Sequence, residues 1–217
     1  MTCIVGLKGK FGTILGADTR ASDAAGNFTD GILKVFNYNY GKQGIACCGS
    51  VKALNYISTL DTLIDYKDIL DEVDIDLTYV INNTAPVIQS IQQETKESGS
   101  SLFIFGTDKR LFTIYGDASV IEESKPFASS GSNGDAARAV LEAGYHEDIE
   151  LTEAVDLVIT AIQAAGANNS TSNLDVNYTI IPTKEYEEKI LEELDKQNKD
   201  EEEQDNKEDS DKILYEI

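Results

Sequence analysis

Met1-Thr2-Cys3-Ile4-Val5-Gly6-Leu7, a break from Lys8 to Gly12, and Thr13-Ile14-Leu15-Gly16-Ala17-Asp18-Thr19-Arg20 decide how the rest of the chain is read. β-Branched and apolar residues flank a break rich in Gly and Lys, which predicts two antiparallel strands joined by a short turn. With the turn centred near Lys10, pairing partners sum to about twenty, so Val5 comes opposite Leu15 and Thr2 comes near Asp18. That register puts a carboxylate beside the second residue.

Met1 precedes a small side chain, the context in which an initiator methionine is removed. Thr2 would then carry a nucleophile and a base on one residue. A free α-amine has a reference pKa of roughly 7.7–8.0 and is partly unprotonated near neutrality, whereas a lysine at roughly 10.4 needs a large shift to accept a proton there. Activation of a threonine hydroxyl by its own amine is a known route to covalent acyl transfer. Taken alone, the stretch reads better as a plain edge strand, so the chemistry depends on what else the chain brings to Thr2.

Working outward, 217 residues with 41% hydrophobic composition suffice for one substantial core. A formal net charge of -21 disfavours a nucleic-acid partner and an anionic membrane surface. No apolar run has the length of a transmembrane helix, and the start lacks the basic and apolar regions of a secretory signal, so a cytoplasmic location is expected. Cys3, Cys47 and Cys48 make an odd set with two adjacent, which fits reduced buried thiols better than disulfides or a metal site. The single histidine, His146, lies in a polar Gly144–Asp148 stretch without a nucleophile elbow and reads as a solvated loop residue.

After a turn-rich stretch from Ala21 to Gly31, Ile32-Leu33-Lys34-Val35-Phe36 predicts a strand, Asn37 to Gln43 a turn, and Gly44-Ile45-Ala46-Cys47-Cys48-Gly49-Ser50 the returning strand. From the strand period alone Lys34 reads first as a solvent-facing lysine; if it is an ammonium in a half-buried strand it needs a partner, and Asp18 is the candidate.

Thr2, Gly16-Ala17-Asp18-Thr19-Arg20, Lys34 and Cys48-Gly49-Ser50 together resemble a proteasome β-type subunit, a member of the N-terminal nucleophile hydrolases. Their order and spacing carry the likeness over roughly residues 2 to 182. The resemblance implies Thr2 as nucleophile, its freed amine as base, Asp18 and Lys34 as the charged pair beside it, and the Gly49 amide as oxyanion donor. It implies a four-layer αββα fold of the α+β class, two antiparallel sheets packed face to face between helix pairs.

Further along, apolar spacing predicts helices from Val51 to about Tyr66 and from Leu77 to Glu97, the second with a kink or later start at Pro86. Ser101–Gly106 and Leu111–Asp117 form a hairpin around Thr107–Arg110. Ala128 to Asp135 reads as a capping loop before a helix over Ala136–Ala143. By resemblance Gly131-Ser132 is the step before the third helix, making Ser132 a proton-relay serine with Ser130 as competitor. A helix over Thr152–Ala165 is expected, capped by Thr152 or Asp148.

Asn168 to Asn173 occupies the place of the family's aspartate, two residues, serine, glycine step. Ser172 matches the serine, but Asn169 stands for the aspartate and Asn173 for the glycine. Asn169 can hydrogen-bond but supplies no charge, so the amine would lose a stabilising carboxylate. A last strand, Val176–Ile181, closes at Pro182. The expected domain is 1–183, followed by an acidic tail over 184–217 with a helix from Glu185 to Lys196 and disorder from Asn198 to Lys212.

The resemblance implies a threonine peptidase acting on peptides or unfolded proteins, with no metal or organic cofactor, assembled in homo-oligomeric rings and served by a regulatory ATPase. Its substrate pocket maps to Ala21, Ile32 and Cys47, small or apolar here, implying an uncharged residue at the cleavage site. Two other readings stand beside it: an amidase for a small amide on the same fold, and a non-catalytic structural subunit, which Asn169 leaves open and a retained Met1 would favour.

Overall fold

The computed structural model describes residues 2–22, 25–38, 41–61, 63, 65, 67–68, 71, 73–95, 101–167 and 172–192. β1 (Cys3–Gly9) and β2 (Gly12–Asp18) form the opening hairpin. The register is one residue from the expected one: Ile4 pairs with Ala17 and Val5 with Gly16. The turn holds only Lys10 and Phe11, because Gly12 reverses the chain at φ 126° and the Phe11 ring packs on Gly9. The slip sets Cys3, rather than Thr2, against Asp18.

Short strands β3 (Ala21–Ser22) and β4 (Phe28–Thr29) pair with each other in the region read as a loop. β5 (Val35–Tyr38) starts later than expected, so Lys34 lies just before the strand; β6 (Gln43–Cys48) returns beside it. α1 (Val51–Ser58) is half the expected length, starting at the Ser50 cap, which accepts the Ala53 N–H, and closing at Thr59. The second helical run is divided into α2 (Leu77–Tyr79), a π-helical turn (Val80–Thr84) and α3 (Ala85–Thr95). Pro86 explains the π turn: its ring would clash with an α-helical carbonyl four residues back, and a wider turn absorbs the clash.

β7 (Leu102–Thr107) and β8 (Leu111–Tyr115) make the predicted hairpin, extended by β9 (Val120–Glu122). β10 (Phe127–Gly131) corrects the reading of Ala128–Gly131 as loop; its small polar residues become a strand because β1 offers an unpaired edge. α4 (Gly134–Gly144) and α5 (Leu151–Gly166) follow. The N-cap of α5 is Glu150 without a side-chain bond; Asp148, an expected cap, is 2.5 Å from Lys10 Nζ instead. β11 (Val176–Pro182) pairs with β2.

The strands form two antiparallel sheets, ordered β10-β1-β2-β11 and β5-β6-β7-β8-β9. Ile4, Leu15, Ala46, Ile104, Leu111 and Ile181 fill the space between them. Gly6, Gly44 and Gly106 line the same space; a Cβ on Gly6 would lie 2.4 Å from Leu111 Cδ2, and one on Gly106 2.9 Å from Thr13 Cγ2. The alternate residues Ile45, Cys47, Phe103, Phe105 and Phe112 turn outward onto α1 and α3 through Ile57 and Ile88. On the other sheet Gly16 lets Val158 and Ile162 of α5 sit against β2. The result is a four-layer αββα sandwich.

Met1–Pro182 and Thr183–Ile217 are two separate compact units. Of the second, residues 184–192 form a helix in which Thr183 Oγ1 accepts the Tyr186 N–H at 3.3 Å. The rest of the expected helix to Lys196 and the stretch Asn198–Lys212 lie outside the described residues. Among the described residues, no helix is long and apolar enough to cross a membrane.

Candidate active site

Thr2 sits at the entrance of β1 and is 7% exposed. Its backbone is gripped just past the end of β10: the Ser132 N–H donates to the Thr2 carbonyl at 2.8 Å. Gly131 makes this approach possible, since a Cβ there would lie 1.9 Å from the Thr2 oxygen and φ is 93°. Ser130, the competing serine, pairs with Ile4 one step further along the ladder.

The side chain of Thr2 meets Lys34. Lys34 Nζ donates to Thr2 Oγ1 at 2.8 Å, to Asp18 Oδ2 at 3.1 Å and to the Arg20 carbonyl at 2.5 Å. An ammonium has three N–H donors, so all three have acceptors. Asp18 in turn accepts from the Cys3 N–H at 2.9 Å and the Arg20 N–H at 3.1 Å. Both charged groups are essentially inaccessible, Lys34 at 1% and Asp18 at 0%. Burial lowers the Lys34 pKa below its ordinary value of 10.5, against the opposing pull of Asp18. Because Lys34 donates to Oγ1, the Thr2 hydroxyl proton does not lie along that contact.

No thiol competes as nucleophile at this site. Burial pushes Cys3 up to about 12, with Asp18 adding to the shift, and Cys48 up to about 11; Cys47 is raised well above 9.0. All three are free and buried.

Gly49 follows β6 at φ 147°, a conformation reserved for glycine, and is exposed. Ser101 lies behind it, so close that a Cβ on Gly49 would be 2.2 Å from Ser101 Oγ. Of the expected pocket residues, Ala21 and Ile32 are half-buried, while Cys47 is fully covered and belongs to the core under α1. Ser172 is buried at 3% exposure with its hydroxyl unpartnered. Asn169 lies outside the described residues. His146 stays apart from this cluster, exposed and 3.2 Å from Glu153.

Three contributors escape the sequence reading. The Arg20 backbone carbonyl completes the Lys34 coordination. The Arg20 guanidinium pairs with both Asp30 carboxylate oxygens at 2.7 and 2.9 Å and stacks 4.0 Å over Phe28. Asn173 donates to Thr19 Oγ1 at 2.9 Å and accepts the Thr19 N–H at 3.0 Å. The one signal available beforehand was that Asn173 replaces a glycine. Among the described residues, no group of three or more His, Cys, Asp or Glu is arranged to hold a metal ion.

The sequence model of the family described as "Proteasome subunit" matches residues 1–181, which include every residue of this cluster. The chain belongs to the proteasome subunit family. It is similar to proteasome subunit beta type-7 of Dictyostelium discoideum, 32% identical over 184 residues, covering 83% of this chain and 67% of that one. Proteasome subunit beta 1 of Ignicoccus hospitalis is 27% identical over 184 residues, covering 82% and 89%. Among solved structures, Anbu (ancestral beta-subunit) from Yersinia bercovieri superposes with a TM-score of 0.64 at 16% identity, covering 84% of this subunit and 82% of that chain. The Anbu (Gly-1) mutant from Hyphomicrobium sp. strain MC1 gives 0.66 at 18%, with the same coverage. The subunit thus has the αββα sandwich of the proteasome-like N-terminal nucleophile hydrolases.

Proposed function

We propose that this proteasome β-type subunit is a threonine peptidase whose nucleophile is Thr2 after removal of Met1. The observation that carries the reading is the 2.8 Å contact of a buried lysine ammonium with the Thr2 hydroxyl oxygen, backed by a buried carboxylate. A donor on Oγ1 stabilises the developing alkoxide without taking its proton, which leaves the α-amine as base. A nearby positive charge also disfavours the protonated amine and lowers its pKa from the reference range.

In the proposed reaction the Thr2 oxygen attacks the peptide carbonyl and its proton passes to the α-amine. The Gly49 N–H donates to the tetrahedral oxyanion. Collapse expels the amine half of the substrate, which leaves with the proton. Water, deprotonated by the same α-amine, then hydrolyses the ester and restores Thr2. Ser132 and Ser172 serve the amine as hydrogen-bonding groups, with Asn169 in the place of a carboxylate. Ala21 and Ile32 favour an uncharged side chain before the cleaved bond, while Cys47 stays in the core and does not line the pocket. The subunit works in a homo-oligomeric ring that receives peptides or unfolded proteins, supplied by a regulatory ATPase.

Intact mass spectrometry before and after a threonine-directed epoxyketone peptide tests this. The expected result is loss of Met1 and a single covalent adduct, absent in Thr2→Ala. A protein that retains Met1, or one with Thr2 exposed that never reacts, is instead the non-catalytic subunit that Asn169 leaves open.

A further inference from the structure

Thr19 is the residue between the two that aim Lys34. Asp18 and Arg20, on either side of it, provide two of the three acceptors of the ammonium, a carboxylate oxygen and a backbone carbonyl. A rotation of the Thr19 backbone therefore moves both acceptors together. Thr19 has no ladder partner on β1, because the hairpin pairing ends at Ile4 and Ala17. Its carbonyl accepts the Ile32 N–H at 2.9 Å, and another segment must hold its N–H and side chain.

Residues 173–175 do so. The Thr19 N–H is shared between Asn173 Oδ1 at 3.0 Å and the Asp175 carbonyl at 3.1 Å. Asn173 Nδ2 donates to Thr19 Oγ1 at 2.9 Å, so a single amide group grips both the backbone and the side chain of Thr19. Asn173 also helps, after the dominant Arg20 bond, to hold the Asp30 carboxyl below its ordinary range. The Arg20 guanidinium reaches back to the Ser172 carbonyl at 3.4 Å. Glycine, the residue that the family resemblance expects at 173, could supply none of the amide bonds.

We propose that Asn173 is a positioning residue: its side-chain amide fixes Thr19, and through Asp18 and Arg20 it holds the Lys34 ammonium on Thr2 Oγ1. The catalytic consequence rests on the threonine-peptidase reading; the structural coupling does not. Without the amide, Thr19 loosens, the two acceptors drift, and the buried ammonium is less well stabilised. Its pKa then falls further, so the alkaline limb of the reaction, where Lys34 loses its proton, moves to lower pH.

The test uses the full-length, Met1-processed protein with Asn173→Gly, Asn173→Ala, Thr19→Val and the Asn173→Ala/Thr19→Val pair. Two readouts are taken: the epoxyketone labelling rate against pH, and hydrogen exchange at the Thr19 and Arg20 amides. Asn173→Gly and Asn173→Ala are expected to slow labelling roughly five- to tenfold, the factor one net hydrogen bond corresponds to. They also shift the alkaline limb downward and speed exchange at Thr19 and Arg20, with the noncovalent affinity for the peptide unchanged. The double variant should be no worse than Asn173→Ala, since both substitutions break one unit. Wild-type rate, pH profile and exchange in Asn173→Gly would overturn the proposal, as would additive losses in the double variant. If the wild-type protein never labels, it is the peptidase reading that has failed, and the exchange at Thr19 and Arg20 alone decides the positioning role.

Discussion

On one flank of Thr2 the Asp18–Lys34 pair is sealed, with every ammonium donor given an acceptor and three donors converging on the carboxylate. On a second flank, behind Thr19 and Arg20, Ser172 is buried with an idle hydroxyl, and residues 173–175 are half-buried or exposed and tied to Thr19 mainly by one amide. The first flank is fixed by saturation, where any change leaves a charge uncompensated. The second is held by a few separable bonds and is where the sequence departs from the family pattern at Asn173. The difference teaches that a site can keep a strict electrostatic floor while its rim is rebuilt.

The strongest way to break this comparison is Lys34→Met, which keeps the chain length but strands Asp18. Removing one partner of a buried pair costs about 3–5 kcal/mol, and the two remaining N–H donors to Asp18 place the expected loss at the low end. Urea unfolding should show that loss and epoxyketone labelling should vanish; an unchanged midpoint would mean the flank is not sealed.

Next comes alkaline pH. The three thiols have folded pKa values raised above 9.0, so their contribution is complete below that value and is lost as pH rises toward about 11 and 12 for Cys48 and Cys3. Lys34 runs the other way, because its lowered pKa removes a penalty as pH climbs toward 10.5. Three groups against one predict a net fall, on the order of 1 kcal/mol per thiol between pH 9 and 10. Denaturation at the two pH values, with Cys3→Ser as control, measures it.

Gly131→Ala should cost about 2 kcal/mol or more and displace Thr2, because its Cβ meets backbone that cannot turn aside. Gly31→Ala is the matched control: φ is 81° but nothing lies within 4 Å, so only the roughly 1 kcal/mol conformational cost remains. Equal losses in the two would remove the role assigned to the Thr2 carbonyl contact. The smallest effect belongs to the open flank. Ser172→Ala deletes a hydroxyl that has no partner, so stability should stay within about 1 kcal/mol or rise; a severalfold slower labelling with unchanged melting would mark the hydroxyl as serving the amine.

Much of the fold was legible because the elements around Thr2 carry their own periodicity. The opening hairpin, the β7–β8 hairpin, α4 and α5 follow from apolar spacing alone. β10 was not legible, since Ala128-Ser129-Ser130-Gly131 lacks strand character and becomes a strand only against β1. The hairpin register slipped because Phe11 belongs to the turn while its ring is buried, a combination that local composition hides. Lys34 announced itself as a charge in an apolar run. Asn173 did not, because a run of amides and hydroxyls says nothing about which of them will meet a backbone 154 positions away.

The Thr2 hydroxyl and the Gly49 amide stand on opposite sheets, one at the start of β1 and the other just past the end of β6. The gap between them is therefore gauged by whatever spaces the sheets, and at mid-sandwich the shims are Gly6, Gly44 and Gly106. A methyl group added at any of these would act as a wedge driven far from the chemistry. The tolerance of the gap between the two proposed reacting groups is thus machined into three residues packed between the sheets.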